Sequence, residues 1–295
     1  MITIKEALTK KEMKDYVMFS FELYKNNPYW IPPIIAEELE TFDKTKNPAL
    51  QTAEAHFYLA YKDNKIVGKI AAIINWEEVN LLGKRKARFG WFDAIDDIEV
   101  TKALLDKVEE LGRKHNMDHM EGPMGFSNLD KVGILSEGFD QMGNMITWYS
   151  LPYYITHFEQ LGFIKEKEYT ESDFSFNGIN PEPFQKASEL IKKRYELRSL
   201  NFTKTKDIMP YVDKMFDLFN ETYAKLQSFV PINDIQKAYF KKKYISFINP
   251  EFIMISSEDT KNFVKHSYFD ESLTSIDNNL KLNISDSSVL IDKHG

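Results

Sequence analysis

Tyr153-Tyr154-Ile155-Thr156-His157-Phe158-Glu159-Gln160-Leu161-Gly162-Phe163 decides the fold reading. Pro152 stands just before it, where a missing N–H costs a helix nothing. Gly162 stands just after it, where a helix commonly ends in left-handed backbone. The residues from Phe163 to Phe174 then read as a strand. A short helix from Pro152 to Leu161 therefore runs straight into a strand, which is the joint of an α/β protein.

Reading back toward the N-terminus, Ile2 to Lys5 alternates as a short strand. Thr9 is positioned to cap a helix from Lys10 to Tyr24, with Met13, Val17, Ser20, Phe21 and Tyr24 on one face. Asn26-Asn27-Pro28 ends it, and Tyr29-Trp30-Ile31-Pro32-Pro33 is an aromatic, proline-braced loop. That loop either lines a pocket or packs as a rigid cover over the sheet edge. Ile34 to Phe42 reads as a second short helix. His56 to Tyr61 and Ile66 to Ile74 are strands joined at Asp63-Asn64, a pair suited to a tight hairpin. The second of them is apolar at nearly every position, so burial on both faces is expected. Arg88 to Ile95 is the next strand. Asp97 is placed to cap a helix whose Val100, Ala103, Leu104, Val108 and Leu111 recur at helical spacing. His119 to Met124 returns as a strand and enters a loop rich in Gly and Pro. This order predicts an α/β (α+β) fold, a mixed twisted sheet with helices on both faces.

Beyond the linker-like Asn177 to Pro181, a helix is expected from Pro183 to Lys193. The opening order then recurs with little residue identity: strand Tyr195 to Phe202, helices Asp207 to Lys225 and Asn233 to Ile248, strand Glu251 to Ser256. The expected organisation is a first domain over residues 1–178, a partial second unit of the same kind over 179–258, and an irregular or poorly ordered tail over 259–295.

Composition narrows the function. A net charge of -7 over 295 residues lacks the basic footprint of a nucleic-acid binder. The absence of cysteine excludes disulfides, thiolate nucleophiles and Cys-ligated zinc. No apolar leader follows Met1, and no run reaches the ~20 residues of a membrane span. A cytoplasmic protein without an integral membrane segment is expected, with peripheral membrane contact left open. His115 and His119 stand four apart around Asp118, but one ends a helix and the other starts a strand, so no metal site is predicted. No nucleotide phosphate loop, dinucleotide fingerprint or Gly-x-Ser-x-Gly elbow occurs.

The element order, closed by Phe158-Glu159-Gln160-Leu161-Gly162-Phe163, resembles the GNAT superfamily of acyl-CoA-dependent N-acyltransferases. A closer resemblance is to an uncharacterised GNAT-like group. It is carried by Asn27-Pro28-Tyr29-Trp30-Ile31-Pro32-Pro33, Lys46-Asn47-Pro48-Ala49, Gly68-Lys69-Ile70-Ala71-Ala72-Ile73, Arg88-Phe89-Gly90-Trp91-Phe92-Asp93, Glu121-Gly122-Pro123-Met124-Gly125-Phe126-Ser127 and Glu137-Gly138-Phe139-Asp140. Members usually have a fuller C-terminal half, from which the tail here departs. The resemblance implies transfer of an acyl group from a CoA or carrier-protein thioester to a small-molecule amine. Acetyl-CoA or a longer acyl-CoA is then the co-substrate, and no metal takes part. Related bacterial proteins are linked to N-acylation of long-chain amines in sphingolipid synthesis, so a long-chain amine is among the implied acceptors. Transfer is direct, in keeping with a chain that has no thiol.

The resemblance also assigns roles. The central strand, through residues such as Phe92, offers backbone groups to the pantetheine arm, and Asp93 at its end is the first choice as general base. A helix-capping or solvated carboxylate is the plainer reading of Asp93. The helix that follows normally receives the donor's pyrophosphate at a glycine-rich, basic N-terminus. Here that segment is Ala94-Ile95-Asp96-Asp97-Ile98-Glu99-Val100, without glycine or a basic residue and with three carboxylates, which repel an anion. The alternative cradle is Gly122, Met124, Gly125, Phe126 and Ser127 with Lys131 close by, against the plain reading of a turn-rich loop. The position that usually supplies a proton-donating tyrosine is Phe158, so Tyr153 and Tyr154 are the candidate substitutes, or else core aromatics. Glu121, set among apolar residues, is a further acid–base candidate whose pKa burial would raise, unless it faces outward on an alternating strand. Phe158 and the acidic segment together keep a second possibility in view, a catalytically degenerate ligand-binding or interaction protein.

Overall fold

Asp63 and Asn64 take left-handed backbone, with φ of 52° and 61°, as a two-residue turn of the primed kind requires. In the computed structural model they join strand β2 (Ala53–Lys62) to β3 (Lys65–Asn75) in an antiparallel hairpin. The structure describes residues 1–127, 130–143, 147–172, 175, 177–226, 229–245, 248–259, 262–263 and 284–294. The chain forms two compact units, Met1–Asp173 together with Asn283–Gly295, and Phe174–Leu282.

In the first unit, β1 (Ile2–Glu6) pairs antiparallel with β2, and β4 (Lys86–Ala94) antiparallel with β3. β5 (His119–Gly122) lies parallel to β4, which makes the sheet mixed. β6 (Ile134–Glu137) and β7 (Ile164–Ser172) join it through a late strand, Ile284–His294, antiparallel to β5, β6 and β7. β3 is buried along nearly its whole length, and its alternation divides the core in two. Ile70, Ala72 and Ile74 share a cluster with Val100, Leu104, Val108, Tyr154 and Phe158. Ala71 and Ile73 share the other with Tyr16, Val17, Phe42, Phe57 and Trp91. A period of two thus gives each face its own helices: α5 (Ile98–Lys114) and α6 (Tyr153–Gln160) on one, α1 (Lys10–Leu23) and α2 (Ile35–Thr41) on the other.

The ends of these helices follow the sequence. Thr9 and Glu12 form a reciprocal capping box at α1. The Asp97 side chain caps α5 by accepting from the Glu99 N–H, and Gly162 beyond α6 has φ 83°. Two short helices complete the unit, α3 (Ala49–Thr52) and α4 (Trp76–Leu82). α4 has no counterpart in the sequence reading. Asn75 caps it by accepting from the Glu77 and Glu78 N–H groups, and Gly83 ends it at φ 67°.

The second unit holds α7 (Glu182–Arg194), β8 (Arg198–Asn201), α8 (Thr205–Tyr223), α9 (Asp234–Phe240), β9 (Met254–Asp259) and β10 (Asn262–Phe263), and we number the late strand of the first unit β11. β9 pairs antiparallel with both β8 and β10. A small core joins Phe202, Ile208, Val212, Ile245 and Ile255. The helix expected through Ile248 gives way to a π-helical turn at Lys241–Ile245, and the strand expected from Glu251 starts at Met254, after a 3-10 turn at Pro250–Phe252. Of the tail expected over 259–295, the described residues are Asp259 at the end of β9, β10 and β11, and the rest lies outside the described residues.

Candidate active site

A break in β4 creates the site. The β3–β4 register slips between Lys69 and Ala71, and Trp91 takes φ 46°, costly backbone for a bulky residue. Phe89, Phe92 and Ala94 stay on the face of α5 and α6. Trp91 turns to the face of α1, and the slipped alternation sends Asp93 there too. A regular strand would put Phe92 on that face instead.

Asp93 is buried, and side chains from three other elements converge on it. Ser20 Oγ donates to Oδ2 at 2.7 Å and Tyr24 Oη to Oδ1 at 2.8 Å, both from the end of α1. Lys69 Nζ lies 3.5 Å from Oδ2 and 5.0 Å from the centre of the Tyr16 ring. Tyr154 Oη is 3.3 Å from Oδ1. Burial, reinforced by the Asp93 charge, raises the phenols of Tyr24 and Tyr154 well above their ordinary pKa, so both keep their protons at neutral pH. Asp93 lines a cavity together with Tyr24, Trp30, Glu38, Lys69 and Lys131. Trp30, from the aromatic loop, stacks on Tyr24 at 5.1 Å and 19°; the loop lines this cavity.

The two tyrosines of α6 reach the same strand end from the opposite face. The Ala94 N–H donates to Tyr154 Oη at 2.9 Å, and Tyr153 Oη donates to the Ala94 carbonyl at 2.7 Å. Their hydroxyls occupy backbone groups at the point where β4 has lost β5, whose ladder with it ends at Arg88–Glu121. Phe158 lies fully buried against Phe89, Phe92 and Phe163, with ring centres 5.7, 5.2 and 5.2 Å away. Phe92 is part of that aromatic wall.

The N-terminus of α5 is already served by its own chain. Asp97 caps it and is paired with Lys62 at 2.8 Å. Asp96 lies 3.2 Å from Nε2 of the buried His157, whose Nδ1 is 2.9 Å from Thr101 Oγ1. This carboxylate-rich end does not fit a diphosphate.

The glycine-rich segment after β5 is filled from within. Asp130 Oδ2 accepts from the Ser127 N–H at 3.0 Å, and a Cβ on Gly125 would collide with the Asp130 side chain. Burial raises the Asp130 carboxyl despite N–H bonds from Ser127 and Phe126. Gly122 lies against the carbonyl and ring of Phe89, and Met124 and Phe126 are buried. Glu121 is brought into a different cluster. Lys86 Nζ lies 2.5 Å from Glu121 and 3.0 Å from Glu78 Oε1, while Arg88 Nε donates to Glu78 Oε2 at 2.8 Å. Arg88 also donates to the Gly125 carbonyl at 3.2 Å. These four side chains are at most 2% exposed, and through Arg88 they tether the segment that bounds the cavity. His115 pairs with Glu54 at 2.9 Å, and among the described residues no three His, Cys, Asp or Glu side chains gather as a metal set.

Of the residues singled out in the sequence, Asp93, Tyr154 and Lys131 share the cavity wall with Phe92, and Tyr153 stands behind it. Ser20, Tyr24, Glu38 and Lys69 belong to the site without having been read there. Ser20 and Tyr24 carried one signal, a shared polar end on the otherwise apolar face of α1. Glu38 and Lys69 carried none, since only the fold brings them to β4.

No family model matches the chain. It is 26% identical over 262 residues to Protein YghO of Escherichia coli, covering 87% of this chain and 65% of that protein. It is 23% identical over 253 residues to the bacterial ceramide synthase of Caulobacter vibrioides, covering 85% of this chain and 65% of that protein. The chain thus spans about two thirds of the length of these curated relatives. Among solved structures, a tandem GNAT protein from the clavulanic acid biosynthesis pathway superposes with a TM-score of 0.52 at 9% identity, over 100% of this chain and 98% of that one. With the mixed sheet, the helices on both faces and the break in β4, this superposition shows that the chain is built on the GNAT fold.

Proposed function

We propose that this chain transfers an acyl group from a thioester to an amine. The observation that carries the reading is Asp93, a buried carboxylate turned by the β4 bulge into a cavity beside two protonated phenols. In the reaction, the amine nitrogen attacks the thioester carbonyl carbon, the C–S bond breaks, and the thiolate leaves. Asp93 accepts the proton lost by the amine, directly or through the Tyr24 hydroxyl that already donates to it. Tyr24 or Tyr154 returns a proton to the thiolate, the role that Phe158 is unable to fill. Holding both reactants beside β4 supplies the rest of the catalysis.

An acyl-CoA, acetyl-CoA or acyl carrier-protein thioester is the donor in this reading, with its phosphates held away from the acidic N-terminus of α5. The name of the Caulobacter relative favours a lipid-like amine as acceptor. Among the described residues no helix is long and apolar enough to cross a membrane; in this reading a lipid-like acceptor is met by peripheral contact. Isothermal titration with acetyl-CoA and palmitoyl-CoA, followed by thiol release with a panel of amines, tests the reading. Binding of neither donor and no thiol release would overturn it. The second reading is a ligand-binding protein that has lost catalysis, favoured by Phe158 and by the self-capped helix α5. Donor binding without thiol release for any amine would select it.

A further inference from the structure

Two opposite charges in the cavity wall lack side-chain partners among the described residues. Glu38, on α2, and Lys131, after the glycine-rich segment, both line the cavity. Among the described residues neither forms a side-chain hydrogen bond or an ion pair within 4.0 Å. Their charges nevertheless reach one another. Burial lowers the Lys131 ammonium, and Glu38, followed by Asp93, opposes that shift. Glu38 also acts on the charge state of Tyr16 and of Asp130, in keeping with its place in the cavity wall.

The remaining charges are spoken for. Asp93 accepts from Ser20 and Tyr24 and is neutralised by Lys69. Lys69 in turn lies over the Tyr16 ring. Desolvating the Lys131 ammonium without a pairing partner is unfavourable, unless a ligand held between it and the Glu38 carboxylate in the same wall supplies the missing partner.

We propose that Glu38 and Lys131 bind opposite charges on one ligand, so that the acceptor is an amine that also bears a carboxylate or phosphate-like group. Glu38 takes the ammonium before it loses its proton toward Asp93, and Lys131 takes the anion. The proposal rests on the amine-acylation reading and names the acceptor class for that site.

The test uses the full chain and four matched probes: norleucine, its phosphonate analogue, pentylamine and hexanoate. Titration is expected to show norleucine or its phosphonate binding at least about tenfold more tightly than pentylamine, the size of one well-made charged contact. The tighter of the two identifies the anionic group. Lys131→Gln is expected to bring that probe to parity with pentylamine. Glu38→Gln is expected to weaken the amines and leave hexanoate unchanged. Equal affinity for pentylamine and the zwitterions in the unaltered protein, or binding of none of the probes, overturns the proposal, and neither outcome depends on how a variant folds. Thiol release assayed in parallel separates the two ideas. Acylation of pentylamine as readily as norleucine sinks the acceptor class and keeps the transferase. Tight zwitterion binding with no acylation of any amine does the reverse.

Discussion

Tyr24 Oη donates to Asp93 Oδ1 at 2.8 Å, joining the end of α1 to the end of β4 across 69 residues of sequence. In the proposed reaction this bond makes the carboxylate part of a relay, in which Asp93 takes the proton lost by the amine either directly or as the Tyr24 hydroxyl passes its own across. Asp93→Asn preserves shape and most hydrogen bonds but removes the charge. We expect it to lower the rate of thiol release by about a hundred- to ten-thousandfold, with donor affinity held. Single-turnover kinetics beside a donor titration checks this, and an unchanged rate would move the base elsewhere.

Tyr24 and Tyr154 separate by what else they hold. Tyr154→Phe leaves the buried Ala94 N–H without its acceptor and is expected to cost about 1–3 kcal/mol of stability. Tyr24→Phe keeps the stack on Trp30 and leaves no backbone group unpaired, so its cost should stay near 1 kcal/mol. Urea denaturation of the two variants should rank them in that order, with thiol release reduced in both.

The cluster of Lys86, Arg88, Glu78 and Glu121 invites a sharper stability test. Lys86→Met removes a cation shared by two buried carboxylates and is expected to destabilise by about 3–5 kcal/mol. Arg113→Ala, which breaks an exposed pair with Glu109, should change stability by about 0.5 kcal/mol or less. Similar losses in both would mean that the buried cluster relaxes to admit water.

Glu54 sets a pH dependence. Burial pushes its carboxyl up, but hydrogen bonds from His56, Lys114 and His115 outweigh burial and bring it from 4.5 down to about 2. A carboxyl lowered on folding stabilises fully above its unfolded value, and that contribution disappears as pH falls through the folded value. Stability should therefore fall between about pH 4.5 and about 2, and Glu54→Gln should flatten the curve in that window when chemical denaturation is repeated across it.

The hairpin at Asp63-Asn64, the caps at Thr9 and Asp97 and the doubly buried β3 were legible because local backbone chemistry and short-period patterning determine them. Of the candidate site, the sequence singled out Asp93, Tyr154, Lys131 and the aromatic loop, but not how they meet in one cavity. The bulge at Trp91 hides behind a bulky residue in a sequence that reads as regular strand, and its slip decides where Asp93 points. The fate of Glu121 and the existence of α4 were equally hidden. Lys86 and Glu78 look like surface residues until a fold places them together at no more than 2% exposure.

Phe158 offers the most direct test of where the proton for the leaving thiolate comes from. Restoring a hydroxyl there, by Phe158→Tyr, recreates the residue type that the resemblance expects. The surroundings oppose a catalytic gain: the ring is fully buried, ringed by Phe89, Phe92 and Phe163. An added hydroxyl would be desolvated against those rings at a cost of about 1–3 kcal/mol, and Tyr154 already occupies the Ala94 N–H in front of it. We expect Phe158→Tyr to lower the urea midpoint and to leave thiol release no faster than in the unaltered chain. A faster rate would show that position 158 faces the thioester, and would move the proton donor from the Tyr24–Tyr154 pair to the α6 position where the resemblance puts it.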